Sequence, residues 1–130
     1  MIANLNTAEI LATDFAKGHT HDFQLFKHGR CALSVQTHVI ADAGYQGLAD
    51  LHTHSQTPIK KTKLHPLTKE QKASNRVLSR QRILIENIIR RLKIFRILSE
   101  RYRNRRKRFG LRFNLIAAIY NLELRDKNTR

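Results

Sequence analysis

The 130 residues suffice for one domain, and a hydrophobic content of 41% allows a core without making it generous. Lys and Arg together number 25 against 10 Asp and Glu, a formal net charge of +15 that excludes an ordinary neutral domain with no polyanionic partner as the first reading. No apolar run approaches the roughly 20 residues of a membrane span, Met1 to Glu9 lack the basic start and apolar stretch of a secretory signal, and the single Cys31, with no zinc-type Cys/His spacing, fits a reducing compartment.

Taken in chain order, residues 9–15 (EILATDF) predict a strand that ends in a turn at AKGHT, where Gly18 takes a positive φ at no steric cost. Thr20 or Asp22 then caps a short helix over DFQLFKH, with Gly29 just past its end. Residues 36–42 predict a second strand with Asp42 at its C-terminal tip, followed by Ala43, Gly44 and Tyr45. A short third strand is predicted over 58–62, bounded by Pro58 and Pro66. From Thr68 the pattern changes, and no proline or glycine occurs until Gly110. Val77, Leu84, Ile85, Ile88, Ile89, Leu92 and Phe95 recur at helical spacing, so a long amphipathic helix is expected over 69–95. A basic cluster follows at 101–108, then a second helix from Phe109 to Leu124 with Phe113, Ile116, Ala117, Tyr120 and Leu124 on one face. Residues 125–130 read as a frayed tail.

Charge divides the chain. Residues 1–59 hold three basic and five acidic side chains, a net −2, whereas residues 60–130 hold 22 basic and five acidic ones, a net +17. An acidic front and a basic back suit a catalytic or metal-holding half beside a phosphate-binding half; a nonenzymatic polyanion binder accounts for the same charge. On the long helix Arg82, Glu86 and Lys93 share one face, with Arg90 four residues after Glu86. These residues read either as an exposed ion-pair ladder or, together with Asp42, as carboxylates converging on a hard divalent cation with Arg and Lys holding phosphate. Asp42 alone reads as a turn former. Two His-Thr-His pairs, His19/His21 and His52/His54, lack a third ligand type nearby.

The segments AKGHTHDFQLFK, VIADAGYQGL, SRQRILIENIIRRLK and YRNRRKRFGLRFNLIAAIYNLEL resemble the C-terminal part of bacterial insertion-sequence transposases of the DDE superfamily, in the branch whose type insertion sequences are numbered four and five. The likeness covers roughly residues 8–124. That branch carries a helix motif of Tyr, two residues, Arg, three residues, Glu, six residues and Lys. Here it reads Ser79, Arg82, Glu86 and Lys93, so Ser79 departs from the pattern. The Asp-x-Gly-Tyr motif matches at Asp42, Gly44 and Tyr45.

The resemblance implies an α/β, RNase H-like catalytic domain, truncated at its N-terminal strands and ending in long helices. It implies metal-dependent DNA cleavage and strand transfer with two Mg2+ or Mn2+ ions. Asp42 and Glu86 are then the second and third catalytic acids and metal ligands. Arg82, Arg90, Lys93, Arg101, Arg103, Arg105, Arg106, Lys107 and Arg108 are expected to hold DNA phosphates at transposon ends and target. In the family's strand order, 3-2-1-4-5, residues 9–15 match the third strand, so Asp14 is not the first catalytic Asp, which belongs to a strand upstream. Loss of that central strand is expected to leave 9–15 and 36–42 with unpaired edges. The expected partners are DNA, an upstream transposase fragment or second-reading-frame product, and a second copy of the chain, in the bacterial cytoplasm and on the nucleoid, with no membrane. An inactive remnant and a nonenzymatic DNA-binding protein are the rival readings.

Overall fold

A short hairpin opens the chain, with β1 at Ile2–Ala3 and β2 at Ile10–Ala12. There follow α1 (Asp22–His28), β3 (Val39–Ile40), α2 (Leu48–Leu51) and β4 (Ser55–Gln56). The long α3 (Lys69–Leu92), a short α4 (Arg96–Ser99), a 3-10 turn at Arg106–Arg108 and α5 (Phe109–Thr129) complete an α/β protein. The computed structural model describes residues 1–16, 20–29, 31–63, 65–100 and 106–129, with Arg106 described by its backbone alone. The predicted turn at Gly18, and His19 with it, lie outside the described residues, as do Arg101, Arg103 and Arg105. The contacts divide the chain into two units, one of Met1–Phe15 with Ile83–Arg130 and one of Ala16–Arg82.

In the first unit β1 and β2 pair antiparallel, Ile2 opposite Ala12 and Ala3 opposite Ile10. Its core joins Ile10 of β2 to Ile88 and Leu92 of α3 and to Ile116, Ala117 and Tyr120 of α5, with Leu84, Phe113 and Leu124 packed at its margin. Burying such apolar side chains stabilises by about 1.5–3 kcal/mol each, before the cost of ordering the chain. The predicted apolar face of α5 is thus the one that packs. The helix is also apolar on the opposite side, where Leu111, Leu115 and Leu122 stay exposed.

Strand β2 is shorter than the predicted 9–15, and its outer edge is not bare. The Ile10 N–H donates to Asn121 Oδ1 at 2.8 Å, and Asn121 Nδ2 donates to the Ile10 carbonyl at 2.8 Å. Thr13 Oγ1 donates to Asn114 Oδ1, and Arg125 Nε donates to Glu9 Oε1 at 2.8 Å. Asn114, Asn121 and Arg125 stand seven and four residues apart, so one stripe of α5 faces the strand edge. This stripe carries α5 past Leu124 to Thr129, through residues that the sequence suggested were frayed. The Arg125 hydrogen bond, reinforced by its charge, holds Glu9 below the ordinary carboxylate value. That contact therefore supports the fold above the ordinary carboxylate pKa and is lost as pH falls through the folded value.

In the second unit β3 and β4 pair parallel, Val39 opposite Ser55 and Ile40 opposite Gln56. The predicted third strand at 58–62 is displaced to Ser55–Gln56. Pro58 has no N–H to give, and the N–H and carbonyl of Ile59 are both taken by the Asn75 side chain at 2.9 Å instead of by a strand. Helix α1 has the predicted bounds, but its N-cap is His21 and no side chain caps it, in place of the predicted Thr20 or Asp22; Asp22 instead sits in the first turn, where a carboxylate suits the helix dipole. Helix α3 begins with a reciprocal cap, Gln71 N–H to Thr68 Oγ1 at 3.2 Å and Thr68 N–H to Gln71 Oε1 at 3.0 Å. Within α3, Leu78 is buried and the predicted core residue Val77 is exposed. The helix stops at Leu92, three residues before the predicted Phe95: its last turn tightens as Ile94 and Phe95 donate to carbonyls three residues back, and Phe95 turns extended to start α4.

Asn121→Ala leaves the Ile10 N–H and carbonyl unpaired in a half-buried setting, so urea unfolding followed by circular dichroism is expected to show a loss of about 1–3 kcal/mol. Leu122→Ala, on the exposed face, is expected to stay within about 0.5 kcal/mol of the parent.

Candidate active site

Asp42 lies where the β3–β4 ladder runs out. The Val39 N–H reaches the His54 carbonyl at 2.8 Å and the Ala41 N–H reaches the Gln56 carbonyl at 3.0 Å, after which the chain turns. The Tyr45 N–H closes that turn on the Asp42 carbonyl at 3.0 Å, and the Gly44 N–H donates to Asp42 Oδ1 at 3.1 Å. The carboxylate thereby fixes its own loop, as aspartates at turns do. Gly47, at φ +85, supplies the left-handed residue that leads into α2.

The second carboxylate oxygen, Oδ2, accepts from Arg82 Nη2 at 3.1 Å, with the two side chains 53% and 36% exposed. An ion pair this open contributes about 0–1 kcal/mol. Arg82 belongs to α3, which therefore carries the Arg of the helix motif to the predicted strand-tip acid. Glu86 stands one turn later on the same helix, exposed, in the first unit. Arg90 is exposed in the last turn of α3, and Lys93 is exposed just beyond it, still bonded to the Ile89 carbonyl. Lys107 and Arg108 are exposed ahead of α5.

What braces the Asp42 turn is an aromatic cluster. Tyr45 packs edge-to-face on Phe23 and Phe26 of α1, at ring centroid distances of 5.7 and 6.1 Å. The signal was present as two Phe three residues apart in DFQLFKH, a spacing that puts both on one helix face. Gln46 Nε2 donates to the Ala43 and Pro58 carbonyls, both at 3.2 Å, tying the turn to the segment after β4. Burial, then the charges of Asp22 and Asp42, raise the Tyr45 phenol above its ordinary value of 10.0.

The donor set bears on whether this chain holds a divalent cation by itself. Both Asp42 oxygens already have partners, and the described residues include no group of three or more His, Cys, Asp or Glu placed to hold a metal ion. His52, one of the paired histidines, gives its Nε2–H to the Thr37 carbonyl at 2.5 Å. The described residues alone therefore do not fit a complete cation site.

The family model described as "Transposase DDE domain" matches residues 1–122, and the chain belongs to that family. Within it the chain is similar to insertion-sequence transposases: it is 53% identical over 124 residues to a protein of Microchaete diplosiphon described as a probable transposase for insertion sequence element IS702. That alignment takes in 95% of this chain and 45% of the relative, so the chain spans less than half of the relative's length. No solved structure matches. Among the described residues, no helix is long and apolar enough to cross a membrane.

The raised Tyr45 value has a testable sign. An unfolded tyrosine ionises near 10 while the folded phenol keeps its proton, so this contribution to stability is fully present below pH 10 and is lost as pH rises through the folded value. Absorbance at 295 nm is expected to show a phenol ionising above pH 10 in the parent, and Tyr45→Phe is expected to remove that component.

Proposed function

We propose that this chain is the Asp- and Glu-bearing part of a DDE transposase catalytic domain of RNase H-like architecture, acting in DNA cleavage and strand transfer during transposition. The observation that carries the reading is the meeting of Asp42, at the end of a parallel strand pair, with Arg82, one turn before Glu86 on α3. In chain order and pairing, β2–β1 and β3–β4 correspond to the strand pairs 3-2 and 4-5 of the order 3-2-1-4-5. The unmatched strand 1 is the one that bears the first acid. Asp42 and Glu86 supply two of the carboxylates, and the rest of a longer protein supplies the third.

DDE transposases work with divalent cations; we assign two Mg2+ or Mn2+ ions to the completed site, where they would offset charge developing on the attacked phosphate. The residues of this chain have roles of their own. Gly44 and Arg82 orient the Asp42 carboxylate through its two oxygens. Arg90, Lys93 and the basic residues of the 101–108 cluster would attract phosphate backbone by charge, a contribution without sequence preference and strongly dependent on salt. A noncatalytic DNA-binding protein is the second reading, favoured by the lack of a three-ligand group among the described residues.

Metal-dependent cleavage of DNA carrying transposon ends separates the two readings. Joined to the remaining part of the domain, the protein is expected to nick DNA in Mg2+ or Mn2+. Asp42→Ala or Glu86→Ala is expected to reduce that rate by at least about 10²-fold with duplex binding intact. The 130-residue chain alone is expected to bind duplex DNA and leave it uncut. Full cleavage by Asp42→Ala would overturn the assignment.

A further inference from the structure

We infer that Lys60, Lys61 and Lys63 form a phosphate-gripping loop for the DNA strand that passes Asp42; this rests on the transposase reading above. From Leu51 to Lys69 the chain has no acidic residue, and it has four lysines, at 60, 61, 63 and 69. The two residues just before the first lysine are clamped from two sides. Gln46, four residues after Asp42, donates from Nε2 to the Pro58 carbonyl at 3.2 Å. Asn75 holds the next residue at both ends of its backbone, receiving the Ile59 N–H and donating to the Ile59 carbonyl, each at 2.9 Å. Asn75 lies seven residues before Arg82 and so on the same face of α3. Arg82 in turn reaches Asp42 at 3.1 Å. Pro58–Ile59 is therefore fixed against the helix face that meets Asp42, all within one unit of the protein.

The lysines follow at once. Lys60, Lys61 and Lys63 are exposed, and a small turn shapes their run, with the His65 N–H donating to Thr62 Oγ1 at 3.1 Å. The chain just before them is held at Ile59, while the lysine side chains are exposed to water. A pre-positioned loop loses less conformational freedom on binding than a free basic tail does. Lysine is a point charge on a flexible stem, suited to non-bridging phosphate oxygens and indifferent to base identity. The expected ligand is accordingly the phosphodiester backbone, and the expected effect is on the register of the strand beside Asp42 and not on sequence choice.

The test uses the full chain and a duplex oligonucleotide, with binding measured across a salt series. Changing Lys60, Lys61 and Lys63 to Ala together is expected to make the slope of log K against log salt shallower by about 2.7, from about 0.9 per phosphate contact, and to weaken binding at least about tenfold at 0.1 M salt for all sequences alike. The triple Lys→Arg variant is expected to keep the parent slope. A control removes three exposed charges from α3, Arg76, Arg80 and Arg91→Ala, and is expected to lose less. Equal loss in the control would show net charge at work and overturn the loop. An unchanged slope in the Lys→Ala variant, with the parent binding normally, would overturn the loop and leave the transposase reading standing. Failure of the parent chain to bind duplex DNA would overturn both.

Discussion

The paired hydrogen bonds between the Asn121 carboxamide and the backbone of Ile10 are the constraint on which the first unit depends. A strand of three residues makes few ladder bonds, and a half-buried peptide group left without a partner costs about 1–3 kcal/mol. A primary amide offers one donor and one acceptor side by side, the same face that a neighbouring strand would present. A helix thus completes what a two-stranded sheet leaves open, and Ile10 enters the core with its backbone satisfied. The second unit uses the device again, with Asn75 gripping Ile59. There it holds a segment that is not a strand, and so places a basic loop.

The candidate site stands open to water and draws its rigidity from the turn that carries Asp42. No buried residue of the described core is polar or charged, and the Asp42–Arg82 pair is open to water. Its small contribution to stability means that the arrangement is not there to hold the fold. What fixes Asp42 is its own turn, braced through Tyr45 by two phenylalanines of α1. An aspartate on a braced turn keeps its geometry while its carboxylate stays open to solvent. The aromatic brace supplies the rigidity, and the exposed rim supplies the access.

Much of this was legible in the residues. Helix α1 matched its sequence bounds because Gly29 marks its end. The buried stripe of α5 emerged from the spacing of Ile116, Ala117 and Tyr120. Asp42 and Arg82 were both expected at the site, and they stand 3.1 Å apart, although Arg82 was expected to hold phosphate and not the acid. Strand lengths were less legible because pairing partners, not local propensity, set them: β2 and β3 stop where their ladders stop. Asn75 and Asn121 gave no signal at all, since an Asn on a helix has the same periodicity whether it faces solvent or a peptide group. The displacement of the third strand from 58–62 to Ser55–Gln56 follows from the same blindness, because Ile59 looks like a strand residue until its backbone is seen to be occupied by Asn75.

The dependence on carboxamides also exposes the protein to chemical ageing. Hydrolysis of Asn121 to Asp preserves shape almost atom for atom, yet it removes the N–H that meets the Ile10 carbonyl and sets a negative oxygen against it. Attraction becomes repulsion without any change in volume. A steric comparison would call the two side chains equivalent, whereas the strand edge discriminates between them by charge alone. Loss of that one side-chain amide, more than a hundred residues along the chain from the strand it completes, would therefore weaken the first unit through charge and not through shape.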